Sequence, residues 1–223
     1  MSKTPTSTVI ITGGSGSLGS TLAIIFEQTH PRKYHLVLTT RSLTDARTIQ
    51  ITAALKALSA SFEIQSLDLS SLENVKRFAS IIEGKIERNE IPPMAGGGLV
   101  NSAAITNYQI SSSTKDGWKE MYGVNVLANM LLVFKLLPQL EGGIVVNVSS
   151  MTHGLGGVDT DYFGDNRRAD SQPDIENQQG KIGLMEANRR YGAVKLLTIM
   201  ACYALQRRIS LVSVSPKDKT EYN

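Results

Sequence analysis

The sequence predicts a doubly wound α/β fold, in which helices cover both faces of a parallel sheet of about six strands. Short apolar runs rich in β-branched residues alternate with longer segments whose apolar residues recur at helical spacing. A glycine cluster follows the first of these runs. Alternating units of this kind indicate parallel strands joined by crossover helices, because a hairpin cannot join parallel neighbours.

The first half of the chain is predicted to hold three strand-helix units and a fourth strand. Each strand is a short β-branched or apolar run, and each helix follows it with an apolar period near 3.6 residues. The predicted strands are 8–12, 35–40, 62–67 and 98–101, and the predicted helices are 18–28, 45–58 and 72–88.

The second half continues the alternation but contains a long polar segment. Helices are predicted at 115–137 and 189–207, and strands at 143–148 and 209–214. The segment 151–188 is rich in glycine and glutamine and is too long for an ordinary connection. We interpret it as an active-site lid or insertion, and a plain surface loop is the alternative.

Composition excludes several functional classes. The 23 basic and 20 acidic residues of the 223-residue chain are interspersed, without the runs that mark nucleic-acid or membrane-surface binders, so we expect a small anionic ligand. Cys202 is the only cysteine and lies in an apolar stretch, which predicts a core position. The three histidines, His30, His35 and His153, lack ligand spacing, so we expect no metal site.

The chain is expected to be cytoplasmic, because the N-terminus is short and polar and no apolar stretch is long enough to cross a bilayer. No repeat or change of composition marks a linker. We therefore expect one domain, 1–223, with association into a homo-oligomer left open.

The segment between the first strand and the first helix predicts a phosphate-binding loop. It reads Thr12-Gly13-Gly14-Ser15-Gly16-Ser17-Leu18-Gly19. Glycines let the backbone approach a pyrophosphate closely, and the amides of the helix N-terminus favour an anion. This is the pattern of a Rossmann dinucleotide-binding domain, so we assign 1–110 to the dinucleotide-binding half and 111–223 to the catalytic half.

The end of the second predicted strand indicates which dinucleotide binds. An acidic residue there would bind the ribose hydroxyls of NAD, but this chain has Arg41 and Ser42. Arg41 offers a planar cationic fork to a phosphate, and Ser42 offers a second donor. We therefore predict NADPH as the cofactor, with a solvated arginine at a strand end as the alternative.

Two further strand ends are candidate cofactor contacts. Asp68 and Leu69 follow the third strand, where the carboxylate can accept from the adenine amino group while the backbone covers the ring. A helix N-cap is an equally good interpretation of Asp68. The small residues of Asn101-Ser102-Ala103 would let the chain pass close to the ribose and pyrophosphate, although they also suit plain packing.

Tyr191 and Lys195 form the most informative pair, because residues four apart lie on one helix face. A fixed cation near the phenol is expected to lower its pKa toward the range of a general acid. Ser150, at the end of the fifth strand, can donate a hydrogen bond to the same substrate oxygen. Ser149 is the close competitor for this role.

The order of these motifs resembles that of the short-chain dehydrogenase/reductase family, from the first strand to about Pro216. The residues in family order are the glycine motif, Asp68, Asn101-Ser102-Ala103, Asn125, Ser150, Tyr191 and Lys195. The long gap before Tyr191 and the position of Arg41 are similar to the monomeric, NADPH-dependent carbonyl reductases of that family. Many single-domain members have a glycine where Ser17 stands.

The resemblance implies a role for each catalytic candidate. Tyr191 would donate the proton, Lys195 would lower the pKa of Tyr191 and bind the nicotinamide ribose, and Ser150 would orient the substrate carbonyl. Asn125 would anchor a proton-relay water; otherwise it is a mid-helix polar residue that needs a buried partner. Pro216 would join the cofactor contacts, but Pro216-Lys217 departs from the family's Pro-Gly, and the expected substrate-covering segment does not follow.

The sequence therefore predicts an NADP(H)-dependent oxidoreductase that reduces a ketone or aldehyde, or oxidises the alcohol. Two alternatives from other classes stay open. The first is a catalytically silent NADP-binding regulator or scaffold. The second is an isomerase, lyase or epimerase on the same fold, suggested by the glycine spacing.

Overall fold

The computed structural model describes residues 4–106, 112–155, 157 and 183–213, with the backbone alone for 211–213. Five parallel strands form one sheet in the order β3-β2-β1-β4-β5. They are β1 (Ser7–Thr12), β2 (Tyr34–Thr40), β3 (Ser61–Ser66), β4 (Gly98–Asn101) and β5 (Ile144–Asn147). The predicted α/β fold class is confirmed.

Helices connect these strands and cover both faces of the sheet. The first three are α1 (Ser17–Thr29), α2 (Ala46–Ala57) and α3 (Leu72–Glu87). A second group comprises α4 (Glu120–Tyr122), a π-helical segment (Gly123–Ala128), α5 (Asn129–Leu136), short 3₁₀ turns at Leu137–Gln139 and Met151–Leu155, and α6 (Leu184–Ser213).

The core lies in two layers because alternate residues of each strand point to opposite faces. Ile10 of β1 belongs to one cluster, whereas its neighbours Val9 and Ile11 belong to the other. The first layer includes Phe78, Ile82 and Leu132 from α3 and α5. The second includes Ala23, Ile51 and Leu55 from α1 and α2. The nearly continuous apolar character of β1 and β2 therefore reflects burial on both sides.

The predicted sixth strand, 209–214, is wrong over the residues described. Helix α6 runs from Leu184 to Ser213, so it starts before and ends after the predicted helix 189–207. No glycine or proline stands between Ala193 and Ser215, so no helix-breaking residue stops the helix there. Gln206 and Ser210, one turn apart, also bond to each other. Val214 lies outside the described residues.

The helix predicted at 115–137 begins later than expected. Residues 115–117 form a turn, with Gly117 at φ +85°. This turn docks on the start of α3, because Lys115 N donates to Ser70 O at 2.8 Å and Asp116 accepts from Leu72 N at 2.7 Å. These contacts fix residues 115–117 as a turn against α3, and the helix begins only at Glu120.

The expectation that no apolar stretch is long enough to cross a bilayer is wrong by length and composition, because the helical stretch Glu120–Gln139 in the described part of the chain meets both criteria. More than half of its apolar window is buried inside the protein. Leu132, Val133 and Leu136 of this stretch are fully buried in the core, which accounts for its apolar character.

Candidate functional site

The candidate site lies at the carboxyl edge of the sheet, where the strand order reverses. β1 lies between β2 and β4, so the chain crosses from one side of β1 to the other. Open parallel sheets bind ligands in the crevice that forms at such a point. Three predicted segments meet at this edge, namely 13–19 after β1, 101–103 after β4 and 148–150 after β5.

The glycine loop after β1 is tightly packed. Gly13 adopts φ +66°, a conformation that residues with a side chain rarely adopt. A Cβ on Gly14 would stand 2.7 Å from Leu38 Cβ, and one on Gly19 would overlap the carbonyl oxygen of Gly13. Gly16 N donates to Gly13 O at 2.9 Å, which closes the turn. The glycines therefore let α1 begin directly against the loop.

The start of α1 fits a dinucleotide phosphate. Gly16 stands at its N-cap, no side chain caps the first amides, and no acidic residue lies in the first turn. By contrast, Asp45 caps α2 and Ser71 caps α3 with side-chain hydrogen bonds. The first amides of α1 have no competing side-chain acceptor, so they can bind an anion.

The small residues after β4 pack against the glycine loop. Ser102 Oγ donates to Thr12 O at 2.5 Å, and Ala103 N donates to Thr12 Oγ1 at 3.1 Å. A Cβ on Gly13 would stand 3.0 Å from Ala103 Cα. Asn101 Nδ2 donates to Asn147 Oδ1 at 2.8 Å, which joins the ends of β4 and β5. Close packing of two strand ends explains why this segment is small.

Arg41 and Ser42 follow β2, on the adenosine side of the predicted crevice. Arg41 is exposed, and no ion pair involves it among the described residues. Ser42 Oγ lies 3.4 Å from Thr44 Oγ1. Ser15 of the glycine loop reaches the end of β2, with its Oγ 3.0 Å from Thr40 Oγ1. The end of β2, which Arg41 follows directly, therefore lies against the glycine loop.

Asp68 is not a helix N-cap, because Ser71 caps α3. The Asp68 carboxylate accepts from Ser70 N and Ser70 Oγ at 2.9 and 2.7 Å, and from Lys115 Nζ at 2.7 Å. Burial opposes its ionisation, but the bonds from Lys115 and Ser70 outweigh burial and hold the pKa of Asp68 below its ordinary value. The Leu69 side chain is buried in the core, so only its backbone could face a ligand.

Helix α6 brings Tyr191 and Lys195 to the end of β5. Lys195 is 3% exposed, and its Nζ donates to Val148 O at 2.7 Å. The ammonium lies 5.6 Å from the centroid of the Tyr191 ring. The i, i+4 spacing therefore places the two side chains together, with Lys195 bonded to Val148, the residue two before Ser150 along the chain.

The pKa of the Tyr191 phenol differs from the sequence expectation. Burial raises the pKa of Tyr191 and lowers the pKa of Lys195, since both charged forms lose hydration. Lys195 lies over the ring and donates to Val148 O. Burial therefore dominates at both groups, and Tyr191 holds its proton at neutral pH.

The two serines after β5 differ in their surroundings. Ser150 Oγ accepts from Thr152 N at 3.3 Å and from Thr152 Oγ1 at 2.9 Å. Both bonds use lone pairs of the Ser150 oxygen, so its own proton is left to donate. Ser149 Oγ is buried and has no hydrogen-bond partner among the described residues.

Asn125 lies in the π-helical segment and is 1% exposed. Its Oδ1 accepts from Ile105 N, and its Nδ2 donates to Ile105 O, both at 2.8 Å. These bonds supply the buried partner that a mid-helix asparagine needs, and they fasten the helix to the chain after β4. Pro216 lies outside the described residues, as does most of the predicted insertion 151–188.

Three further polar residues, to which the sequence assigns no individual role, also support the site. Thr12 accepts from Ala103 N, Asn147 bonds to Asn101 and Cys202, and Asn129 donates to backbone carbonyls of its own helix. Asn129 is 4% exposed. For Asn129, the sequence signal of a structural role is an asparagine within an apolar helical stretch, because a buried amide needs hydrogen-bond partners.

A family profile described as short chain dehydrogenase matches residues 7–160. The short-chain dehydrogenase iccH of Talaromyces variabilis is 30% identical over 82% of this chain and 50% of that protein. An NADPH-bound carbonyl reductase from chicken fatty liver has a TM-score of 0.51 at 18% identity, covering 69% of this chain and 60% of that one. A Thermococcus sibiricus alcohol dehydrogenase complexed with 5-hydroxy-NADP has a TM-score of 0.61 at 18% identity, covering 91% and 71%.

The chain therefore belongs to the short-chain dehydrogenase/reductase family of oxidoreductases, whose members bind nicotinamide cofactors. The two solved structures show the shared fold. The chain spans about half the length of the curated relatives that it matches.

Proposed function

We propose that the protein is an NADPH-dependent oxidoreductase that reduces a ketone or aldehyde to an alcohol, or catalyses the reverse reaction. The observation that carries the proposal is the meeting of Tyr191, Lys195 and the end of β5, with Lys195 Nζ bonded to Val148 O at 2.7 Å. The proposal takes this edge, where the glycine loop also lies, as the place where the Tyr191 phenol, the Lys195 amine and the Ser150 hydroxyl act.

Different residues bind different parts of the cofactor. The amides at the start of α1 bind the pyrophosphate, since no side chain caps them. Arg41 binds the additional phosphate of NADP(H) with its planar guanidinium, which lies exposed after β2. Asp68 is already bonded to Ser70 and Lys115, so it contacts adenine only through a remaining lone pair.

NADPH supplies the hydride when it is bound. Ser150 donates its hydroxyl proton as a hydrogen bond to the substrate oxygen, because Thr152 occupies the lone pairs of Ser150 Oγ. Tyr191 gives a proton to the same oxygen as negative charge develops there. Lys195 binds the nicotinamide ribose, and its Nζ lies beside the phenol, 5.6 Å from the centroid of the Tyr191 ring.

Cofactor consumption and cofactor binding test the proposal together. NADPH oxidation is measured against a panel of ketones, aldehydes and quinones, and NADPH and NADH affinities are measured by calorimetry. We expect turnover with at least one carbonyl and tighter binding of NADPH than of NADH. Tyr191→Phe should abolish turnover and leave NADPH affinity within about twofold, since the ring still packs.

Arg41→Asp is the matched variant for cofactor choice. It should weaken NADPH binding by about tenfold or more and narrow the preference over NADH, because the carboxylate repels the additional phosphate. Equal affinities for both dinucleotides in the wild-type protein would contradict the choice of NADPH. Binding without turnover on any substrate would favour the silent regulator instead.

A further inference from the structure

Asn129 lies where the π-helical segment passes into α5. A wide turn spans Gly123–Ala128, and Asn129 is the first residue of regular helix after it. Carbonyls in a π-turn are not all paired by the usual bonds four residues along the helix. Asn129 Nδ2 donates to two of these carbonyls, Val124 O at 3.2 Å and Asn125 O at 3.1 Å.

The same amide also faces the chain that follows β4. Asn129 Nδ2 lies 3.5 Å from Ala103 O, at the limit of a hydrogen bond. Ala103 in turn packs against Gly13 of the glycine loop and donates to Thr12 Oγ1. One buried amide group therefore touches both the wide turn and the chain that supports the phosphate-binding loop.

The side chain of Asn125 is not available to bond to the backbone carbonyls of the wide turn. Both ends of its side chain are bonded to Ile105, and these two bonds tie the wide turn to the chain after β4. The backbone carbonyl of Asn125 instead accepts a hydrogen bond from Asn129 Nδ2. The side-chain oxygen of Asn129, Oδ1, is buried with no partner among the described residues. The Asn129 amide is therefore oriented with its donor nitrogen, Nδ2, toward the carbonyls of the wide turn.

We propose that Asn129 is a positioning residue for the reaction. It holds the carbonyls of the wide turn so that Asn125 keeps its two bonds to Ile105, and with them the alignment of the chain beside the glycine loop. The proposal rests on the proposed function for its kinetic consequence, but not for its structural one.

Three variants separate positioning from general stability. Asn129→Asp keeps the shape but replaces the donor by an oxygen that faces carbonyl oxygens. Asn129→Ser keeps one donor, because a serine hydroxyl can bond to the carbonyl four residues back. Thr198→Val is the matched control, since Thr198 is a buried residue of α6 that bonds in the same way, to Val194 O at 3.0 Å.

The first measurement is hydrogen exchange of the Ile105 amide by NMR, which needs no turnover. We expect exchange to be at least about tenfold faster in Asn129→Asp, near the wild-type rate in Asn129→Ser, and unchanged in Thr198→Val. The exchange rates are compared at temperatures where the variants have equal free energies of unfolding, so that a difference in rate reports local opening around Ile105. Wild-type protection of Ile105 in Asn129→Asp would overturn the proposal. If Asn129→Asp does not fold, the same comparison is made with Asn129→Leu.

The second measurement is steady-state reduction. Asn129→Asp should lower kcat by about tenfold with the KM for NADPH changed less than about twofold, and Asn129→Ser should recover most of the loss. A fall of the same size in Thr198→Val would mean a merely structural role and would overturn the proposal. If the wild-type protein reduces no carbonyl, the proposed function fails, while the exchange of Ile105 still decides whether Asn129 positions Asn125.

Discussion

At the scale of single residues, the site depends on polar groups that are buried or bonded in unequal ways. Lys195 loses most of its hydration and bonds to Val148 O, while Tyr191 is only half-buried. Ser150 accepts two bonds, whereas its neighbour Ser149 has no partner among the described residues. Ser150 is therefore held in place by bonds to its oxygen while its proton stays free, whereas no hydrogen bond among the described residues orients the Ser149 hydroxyl.

The two serines can be ranked by activity. Ser150→Ala should lower kcat by about tenfold or more, because a hydrogen bond to the developing oxyanion is lost. Ser149→Ala should leave kcat within about twofold and serves as the matched control. Initial rates of NADPH oxidation measure both. The reverse ranking would transfer the role to Ser149.

Asp68 gives stability a predictable dependence on pH. Its pKa is lowered in the folded protein, so its contribution is fully present above the unfolded value of about 3.9 and is lost as pH falls through the folded pKa. We expect Asp68→Asn to lower the free energy of unfolding by about 1 kcal/mol at neutral pH and by less under acid conditions.

Urea denaturation at a series of pH values measures this difference. Glu73→Gln is the control, because Glu73 pairs with Lys76 on an exposed surface at 3.7 Å. A deficit in Asp68→Asn that stays constant down to the lowest pH would show that the charge of Asp68 contributes nothing.

At the scale of elements, the loop between β1 and α1 works as one unit with the chain after β4. Gly13 packs on Ala103, and Gly19 packs on the carbonyl of Gly13, so the loop has room only for hydrogen at these positions. The same packing positions the uncapped amides of α1. We therefore predict that protein stability and cofactor binding are coupled in this element.

Gly19→Ala tests that coupling. The added methyl group would overlap Gly13 O, so we expect a loss of about 1 to 3 kcal/mol in stability and a clear loss of NADPH affinity. Gly154→Ala is the matched control, since nothing lies within 4 Å of its position. Thermal denaturation and calorimetric titration measure the two effects. Unchanged NADPH affinity in Gly19→Ala would contradict the assignment of the loop.

At the scale of the whole molecule, the sheet of the described residues ends at β5. An open groove of about 1310 Å³ lies beside this strand, between α5 and α6. Ile144 is 67% exposed and Val146 is 45% exposed along it. An apolar edge strand presents unpaired backbone groups and tends to associate with other chains.

Self-association of this chain should therefore depend on β5. We expect concentration-dependent association of the protein, and about tenfold weaker association in Val146→Lys, because the charge opposes burial of the edge. Sedimentation velocity measures it. Ile49→Lys, at a 60% exposed position of α2, is the control. Equal association of both variants would place the contact elsewhere.

The α/β class, the first five strands and the segments that meet at the carboxyl ends of these strands could all be predicted from the amino-acid sequence. These features are local. Apolar period, a glycine cluster after a β-branched run, and four-residue spacing on a helix each depend on neighbours within about two turns. Tyr191 and Lys195 were paired in this way, and the Gly13–Gly19 segment was recognised in this way.

Three other features follow only from the tertiary structure: the extent of α6, the pKa of Tyr191 and the contacts of Asn129. Residues 209–213, which were predicted to begin a strand, continue α6. Burial raises the pKa of Tyr191 where a nearby lysine alone would lower it. The contact between Asn129 Nδ2 and Ala103 O joins residues 26 positions apart. In each case the outcome depends on which groups are removed from water together, and that depends on contacts between segments distant in the sequence.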